Sequence, residues 1–388
     1  MFLYSFKSIA VQIIHITLGK AHPERMNGVS RAVHFLATAQ AELGQDVEVW
    51  GLVSSDDRDL PERPFLTRFF RRFKYDWKLP EGLPEAIATL HPGDCVHLHG
   101  AFLPVIYRIS ALLVRLHIPY AYTPHGAFTA GAMMRNSLRK QTYFYVWERR
   151  MLRNATAVQC LSQPELRDLI HRLPLSNIVL IPNGQDLAAS QGFIAQFKNK
   201  EPVFGFCGRL DRYHKGLDIL LAAFSHYRIQ GGTGRLELIG DGQDRRWLEK
   251  HAEELGIQQT VVFHGAQFGE HKFRLIASFD CFLHPSRMEG FPTAVLEAAG
   301  MGLPCITTAA TGINDYLIQY QAGFTIENLQ TEALVQALLT AEKAFHCGVL
   351  PGMGARARDM VQSCFDWKMI AQQLTAVYAG KLPQVQFQ

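Results

Sequence analysis

Residues 203–216, VFGFCGRLDRYHKG, join a short apolar run to a glycine, an arginine and a lysine–glycine pair. The run 203–207 predicts a buried strand, and residues 216–227 have the pattern of a helix. A strand that leads through a short loop into a helix is the repeating unit of an α/β protein with a parallel sheet. This stretch therefore predicts the start of a doubly wound domain. Arg209 would follow its first strand, and Lys215 would stand just before its first helix.

The same alternation continues in both directions along the chain. Strands are predicted at 10–17, 47–53, 95–98, 120–123, 157–161, 178–181, 236–239, 261–263, 281–283 and 305–307. Asn183-Gly184 signals a turn, and residues 185–200 carry no strong period. The pattern predicts a Rossmann-like domain over 1–184, a linker over 185–200, a second Rossmann-like domain over 201–365, and a last helix in 366–388 that packs back on the first domain. Ligands of such sheets bind at the carboxyl ends of the strands, here in a cleft expected between the domains.

Composition excludes several classes of protein. The chain has 388 residues, of which 48% are hydrophobic, and its net charge of +4 is too small for a dedicated nucleic-acid binder. The first 184 residues carry the positive charge, with 21 Lys and Arg against 15 Asp and Glu. Seven scattered cysteines without a C-x-x-C pair predict reduced thiols in a cytoplasmic protein. No apolar run reaches the ~18 residues of a membrane-spanning helix.

The segment 289–297, EGFPTAVLE, combines two carboxylates with a helix start. Pro292 suits the first position of a helix, so the N–H groups of Thr293 and Ala294 are expected to lack intrahelical partners. With the helix dipole, these groups would form a site for a diphosphate. Glu289 and Glu297 could accept hydrogen bonds from hydroxyls, or could be ordinary solvated charges.

Other residues at predicted strand ends also suit a ligand. The cations Arg209 and Lys215 suit a leaving diphosphate, or form a solvated pair. The glycine-rich fingerprint of dinucleotide-binding enzymes is absent, although Gly28 lies in the first turn. His125, between proline and glycine, is predicted to contact a ligand.

No metal site is predicted. The pair His97 and His99 lacks an evident third ligand. The D-x-D at Asp57 and Asp59 reads as a solvated loop.

These motifs, in this order, resemble the retaining glycosyltransferases of family 4, which have the GT-B fold of two Rossmann-like domains. The resemblance spans nearly the whole chain. It implies roles for particular residues. Arg209 and Lys215 would bind the donor diphosphate, and Glu289 would hold the transferred sugar, with the N–H groups of Phe291 and Thr293 nearby. Glu297 would bind the ribose, Gly28 the phosphates, His125 the donor sugar or the acceptor, and His264 would lie near the base. The family commonly has two glycines in the first loop, where this chain has Asn27 and Gly28.

The resemblance implies transfer of a hexose-type sugar from a nucleotide diphosphate sugar to a glycan or lipid-linked acceptor, without a metal cofactor. This chemistry would fit polysaccharide, lipopolysaccharide or glycolipid biosynthesis. Two alternatives share the architecture, namely a phosphorylase and a nucleotide-sugar epimerase. A non-catalytic peripheral membrane protein is a third.

Residues 63–78 fit an amphipathic helix. At 100° per residue, six bulky apolar side chains fall within an arc of 140°, and Arg68, Arg71 and Arg72 lie opposite. Such a helix would lie on an anionic membrane, or its apolar side would face the sheet. In the first reading, these arginines and His99 mark the acceptor side of a protein on the cytoplasmic leaflet.

Overall fold

The computed structural model describes residues 12–23, 28–54, 60–73, 77–134, 137–187 and 190–381. The chain divides into two compact units. One combines the residues up to Gly184 with those from Trp367 onward, and the other is Gln185–Asp366. Each unit contains a parallel sheet with helices, which confirms the predicted α/β class.

The first unit has a seven-stranded sheet among its described residues. Its strands are β1 (Gln12–Leu18), β2 (Asp46–Val53), β3 (Leu66–Arg71), β4 (Cys95–His99), β5 (Tyr120–Thr123), β6 (Ala157–Cys160) and β7 (Ile178–Leu180). The spatial order is β3-β2-β1-β4-β5-β6-β7, and neighbouring strands are parallel. The order reverses between β1 and β4, which is the point where ligands bind in doubly wound sheets.

Helices surround this sheet. They are α1 (Gly28–Glu42), α2 (Leu83–Ala88), α3 (Pro104–Arg115), α4 (Ala130–Met134), α5 (Ser137–Tyr143), a π-helix (Phe144–Glu148), α6 (Arg149–Asn154) and α7 (Gln163–Arg172). The final helix of the chain also belongs to this unit: Ile370, Leu374 and Val377 share a buried cluster with Leu36 and Ala39 of α1.

The second unit has a six-stranded parallel sheet among its described residues. Its strands are β8 (Val203–Cys207), β9 (Arg235–Ile239), β10 (Val261–Gly265), β11 (Cys281–His284), β12 (Cys305–Thr308) and β13 (Gly323–Ile326), in the order β10-β9-β8-β11-β12-β13. Its helices are α8 (Leu217–Ile229), α9 (Arg245–Glu254), α10 (Gly269–Ala277), α11 (Thr293–Gly300), α12 (Asn314–Tyr320), α13 (Thr331–His346) and α14 (Leu350–Cys364). The last helix of the chain is α15 (Trp367–Tyr378).

Residues 185–200 are part of the second unit rather than a separate linker. The N–H of Gln185 donates to the carbonyl of Phe365, and the N–H of Ala195 donates to that of Met301. Leu187 and Phe193 pack against the apolar core of this unit. Burial of these side chains fixes a segment in which no secondary-structure period is visible.

The amphipathic helix predicted over residues 63–78 is wrong for the described part of that segment. Residues 66–71 form β3, an edge strand paired in parallel with β2. The Arg68 guanidinium lies 2.9 Å from Glu48 and over the ring of Trp50, Arg71 is exposed and Arg72 is partly buried. The phenylalanines recur every four residues, which mimics a helical face, but pairing with β2 satisfies the backbone here.

None of the described helices is long and apolar enough to cross a membrane.

Candidate functional site

Three side chains meet at the carboxyl ends of two adjacent strands, β8 and β11. Lys215 Nζ lies 2.5 Å from Glu289 Oε2, and His284 Nε2 lies 2.8 Å from the same oxygen. Lys215 comes from the loop after β8, His284 ends β11, and Glu289 follows it in the next loop. The structure thus brings together two residues predicted from the sequence and one, His284, that sequence reasoning missed. The only local signal for His284 is its place at a strand end.

Gly216 makes this approach possible. Its φ is +67°, and a Cβ built on it would lie 2.0 Å from the carbonyl oxygen of Pro285. Any other residue would push the Lys215 loop away from the chain that follows β11. The N–H of Arg287 also donates to the carbonyl of His214, which ties the two loops together.

The electrostatics keep Glu289 ionised. Burial raises the pKa of this carboxyl, but the hydrogen bonds and charges of His284 and Lys215 outweigh burial and lower it to about 2. Burial and the nearby Lys215 ammonium lower the pKa of His284, although Glu289 opposes them. The site therefore presents an ionised acceptor beside a cation, which suits hydroxyl and phosphate groups.

Arg209 follows the end of β8 but is not among the residues that contact Glu289. Its guanidinium lies 3.5 Å from Asp211, and its side chain is 65% exposed. Asp211 is further fixed by the ring of His214, 2.8 Å away. Arg209 is thus an exposed cation beside an ordered loop.

Glu297 lies inside α11 and is buried. Lys272 of α10, which sequence reasoning missed, places its Nζ 2.9 Å from Glu297 Oε2. The structure therefore contains a second carboxylate–lysine pair, which joins helices α10 and α11, whereas the first joins two loops.

The start of α11 differs from the sequence-based expectation. The helix begins at Thr293, so Pro292 stands just before it. The N–H of Thr293, expected to be free, donates to the carbonyl of Phe291 at 3.0 Å. Phe291 and Ala294 are partly buried against the apolar core.

His264 lies in β10, at the edge of the second sheet. Its Nε2 lies 2.8 Å from Glu237, a carboxylate that also contacts Arg235. His264 is therefore engaged within the sheet and is not among the contacts of Glu289 or Glu297.

In the first unit, His99 and His125 are in contact: His99 Nδ1 lies 3.0 Å from His125 Nε2. His15 of β1 also reaches His99, so a third histidine does approach the His97 and His99 pair. Gly28 is the exposed first residue of α1, and a Cβ there would meet nothing within 4 Å. Asn27, Asp57 and Asp59 lie outside the described residues.

Comparison with known proteins identifies the family. A model described as Glycosyltransferase Family 4 matches residues 26–189, and one described as Glycosyl transferases group 1 matches residues 190–344. The chain is 28% identical over 231 residues to the putative glycosyltransferase EpsF of Bacillus subtilis, covering 57% of this chain and 59% of that protein.

A second relative has a more specific name. The chain is 26% identical over 262 residues to UDP-Gal:alpha-D-GlcNAc-diphosphoundecaprenol alpha-1,3-galactosyltransferase of Escherichia coli, covering 63% of this chain and 65% of that protein. The alignments thus span less than two thirds of either relative.

Solved structures share the fold. Anabaena HepE in complex with UDP matches with a TM-score of 0.73 at 17% identity, covering 95% of this chain and 100% of that chain. The two family models adjoin and together reach from residue 26 to residue 344. The chain therefore belongs to the family 4 glycosyltransferases and has their GT-B fold.

Proposed function

We propose that the protein transfers a hexose-type sugar from a nucleotide diphosphate sugar to a glycan or lipid-linked acceptor, with retention of anomeric configuration and without a metal ion. The observation that carries this proposal is the cluster of Lys215, His284 and Glu289 at the carboxyl ends of β8 and β11. A cation and an ionised carboxylate held together there suit the phosphate and the sugar of one donor molecule.

Each charged group has a distinct role in the proposal. Lys215 and the exposed Arg209 stabilise the negative charge that develops on the leaving diphosphate. Glu289 accepts hydrogen bonds from hydroxyls of the transferred sugar. Glu297 accepts from the ribose hydroxyls, which compete with Lys272 for its carboxylate. His125 contacts the donor sugar or the acceptor.

Relatives guide the choice of substrates to test. The Escherichia coli relative is named for a UDP-galactose donor and a diphosphoundecaprenol acceptor, and HepE was solved with UDP. We therefore propose a uridine diphosphate sugar as donor and a lipid-linked saccharide as acceptor, in polysaccharide or lipopolysaccharide assembly.

A glycosyl-transfer assay with chelator tests the proposal. Purified protein is given UDP-hexoses with and without a diphosphoundecaprenol-linked sugar, and released UDP is measured. We expect release that requires the acceptor, persists in excess EDTA, and yields a product whose anomeric configuration by NMR is that of the donor. Phosphate-dependent release of sugar phosphate, or conversion of the donor to its epimer, would contradict transfer. Reversible loss of activity in EDTA would contradict metal independence.

A lipid-linked acceptor also requires access to a membrane. On α4, α5 and the π-helix, four large apolar side chains are at least half exposed: Met134 (78%), Leu138 (81%), Tyr145 (54%) and Val146 (53%). Exposed arginines at 139, 150 and 153 lie on the same stretch of chain. Apolar side chains among cations match an anionic leaflet. We propose that this surface, rather than residues 63–78, contacts the inner face of the cytoplasmic membrane.

A further inference from the structure

A buried chain of hydrogen bonds crosses the first sheet and ends at His125. Its members come from six elements: His15 on β1, Gln40 on α1, His97 and His99 on β4, Thr123 on β5, Gln159 on β6 and Tyr378 on α15. Six of these seven side chains are buried, and Tyr378 is partly exposed. Each proton in such a buried network has a defined position, because an unpaired polar group there costs free energy.

One end of the chain is fixed by the backbone. Gln159 Nε2 donates to the carbonyl of Ile181 at 2.8 Å, so Gln159 Oε1 is the atom that faces Thr123. The Thr123 hydroxyl donates to that oxygen at 2.6 Å and must therefore accept from its other neighbour, His97 Nε2, also at 2.6 Å. His97 is accordingly protonated on Nε2.

Tyr378 and Gln40 are the next members of the hydrogen-bond chain. With Nε2 protonated, His97 Nδ1 accepts from the Tyr378 hydroxyl at 2.6 Å. Burial raises the pKa of Tyr378, and the nearby Gln40 side chain opposes this shift. The buried Gln40 nitrogen makes no hydrogen bond among the described residues, and Gln40 Oε1 faces His15 Nε2 at 2.7 Å.

The remaining histidines follow in order. His15 donates from Nε2 to Gln40, so His15 Nδ1 accepts from His99 Nε2 at 3.0 Å. His99 Nδ1 in turn accepts from His125 Nε2 at 3.0 Å. Among the described residues, the four histidines have one ring nitrogen without a hydrogen-bond partner from the protein, and it is His125 Nδ1. This nitrogen keeps its lone pair.

We propose that His99, His15 and Gln40 are positioning residues that hold His125 in the Nε2–H form, with Nδ1 presented to a substrate hydroxyl as a hydrogen-bond acceptor. The proposal rests on the proposed function for the identity of that hydroxyl. The backbone supports the orientation: His125 has φ of +56° and lies between Pro124 and Gly126. Burial lowers the pKa of His15 and of His125 to about 4, so both are neutral near pH 7.

A metal centre is the competing interpretation, because nitrogens of His15, His97 and His99 lie within 4.8 Å of one another. All six ring nitrogens of these histidines, however, have protein hydrogen-bond partners. The rings of His97 and His99 also stack with centroids 4.1 Å apart, rather than radiating from one point. The hydrogen-bond chain accounts for every nitrogen of the three without a metal.

NMR of the full-length protein labelled with 15N-histidine tests the chain without any substrate. We expect His15, His97, His99 and His125 to be neutral Nε2–H tautomers at pH 7. Gln40→Met removes the acceptor of His15 and should mix the tautomers of His15, His99 and His125 while leaving His97 unchanged. Protonation of His125 on Nδ1, or one equivalent of zinc bound with loss of these signals, would overturn the proposal.

Kinetics test the consequence. His99→Phe should lower kcat/KM by about tenfold or more, as loss of an orienting partner does elsewhere. His34→Phe is the matched control, because His34 is a buried imidazole of α1 outside the chain, among the rings of Phe35 and Phe65. Equal activity of the two variants would overturn the positioning role. A wild-type protein without transferase activity but with the expected tautomers would instead refute the proposed function alone.

Discussion

Lys215 and Glu289 neutralise each other, and removal of either one leaves the other without its opposite charge. Their side chains are only 17% and 13% exposed. Loss of one partner leaves a mostly buried charge, which is costlier than loss of a surface ion pair. One interpretation of the sequence made Lys215 half of a solvated pair with Arg209, and the structure instead buries most of Lys215 beside Glu289.

Lys215→Ala should lower kcat/KM for sugar transfer by ~100-fold or more, because one cation at the leaving diphosphate is lost. It should also destabilise the fold by about 3 kcal/mol, because the mostly buried Glu289 loses its cation and keeps only the His284 ring as a partner. Initial rates of UDP release and urea unfolding measure the two effects.

Two variants serve as controls. The double change Lys215→Ala with Glu289→Gln should regain stability but not activity, since the unpaired charge is gone. Lys368→Ala removes a lysine from an exposed ion pair with Glu42 and should preserve both properties. Wild-type turnover in Lys215→Ala would refute the assignment of Lys215 to the donor phosphates.

At the scale of elements, the basic half of the chain has two candidate membrane surfaces. One is β3, where the sequence predicted a helix, and the other consists of α4, α5 and the π-helix. In β3, Phe70 is buried and Arg68 pairs with Glu48, so Leu66 is the one large apolar side chain of this strand that is mostly exposed. The second surface leaves large apolar side chains exposed.

Flotation with vesicles of phosphatidylglycerol and phosphatidylcholine distinguishes the two surfaces. Arg139→Glu with Arg150→Glu should weaken vesicle binding at least tenfold, since each cation near an anionic leaflet contributes about 1 kcal/mol. Arg71→Glu with Arg115→Glu makes the same change in net charge on β3 and α3 and should bind nearly as the wild type does. A larger loss in the second pair would return the membrane contact to the β3 region.

At the scale of the whole molecule, buried carboxyls make folding stability depend on pH. Glu148 accepts hydrogen bonds from the N–H of Phe102 at 2.6 Å and the hydroxyl of Tyr122 at 2.8 Å. Burial raises its pKa to about 7 despite these bonds. Between its ordinary value of 4.5 and about 7, the unfolded chain therefore releases a proton that the folded protein retains.

Stability should thus fall as pH rises through this window and level off above it. The shift corresponds to a loss of at most ~3 kcal/mol. Glu148→Gln cannot ionise and keeps both neighbours within hydrogen-bonding reach. The melting temperature of this variant relative to that of the wild type should therefore rise from pH 5 to pH 8. The exposed Glu85→Gln is the control, and a difference that does not change with pH would contradict the raised pKa.

The sequence by itself determined the fold class and much of the local machinery. Strands β5 and β8 have the predicted limits, because a short apolar run between turn residues can only be a buried strand in this alternation. The strands it did not predict, β3 and β13, lie at the sheet edges, where half-exposed side chains weaken the apolar signal. Lys215, Gly216 and Glu289 were recognisable because their chemistry follows from position beside a strand or helix end.

Only the tertiary structure decided which side chains meet. His284 and Lys272 become partners of the two glutamates through the adjacency of β8 with β11 and the packing of α10 near α11. The register of β1 on β4 places His15 opposite His97, and the return of α15 brings Tyr378 to His97 across 281 residues. A hydrogen-bond partner depends on strand order, register and helix packing, which join residues far apart in sequence. Local pattern therefore indicates the donors and acceptors, and the assembled fold determines their pairing.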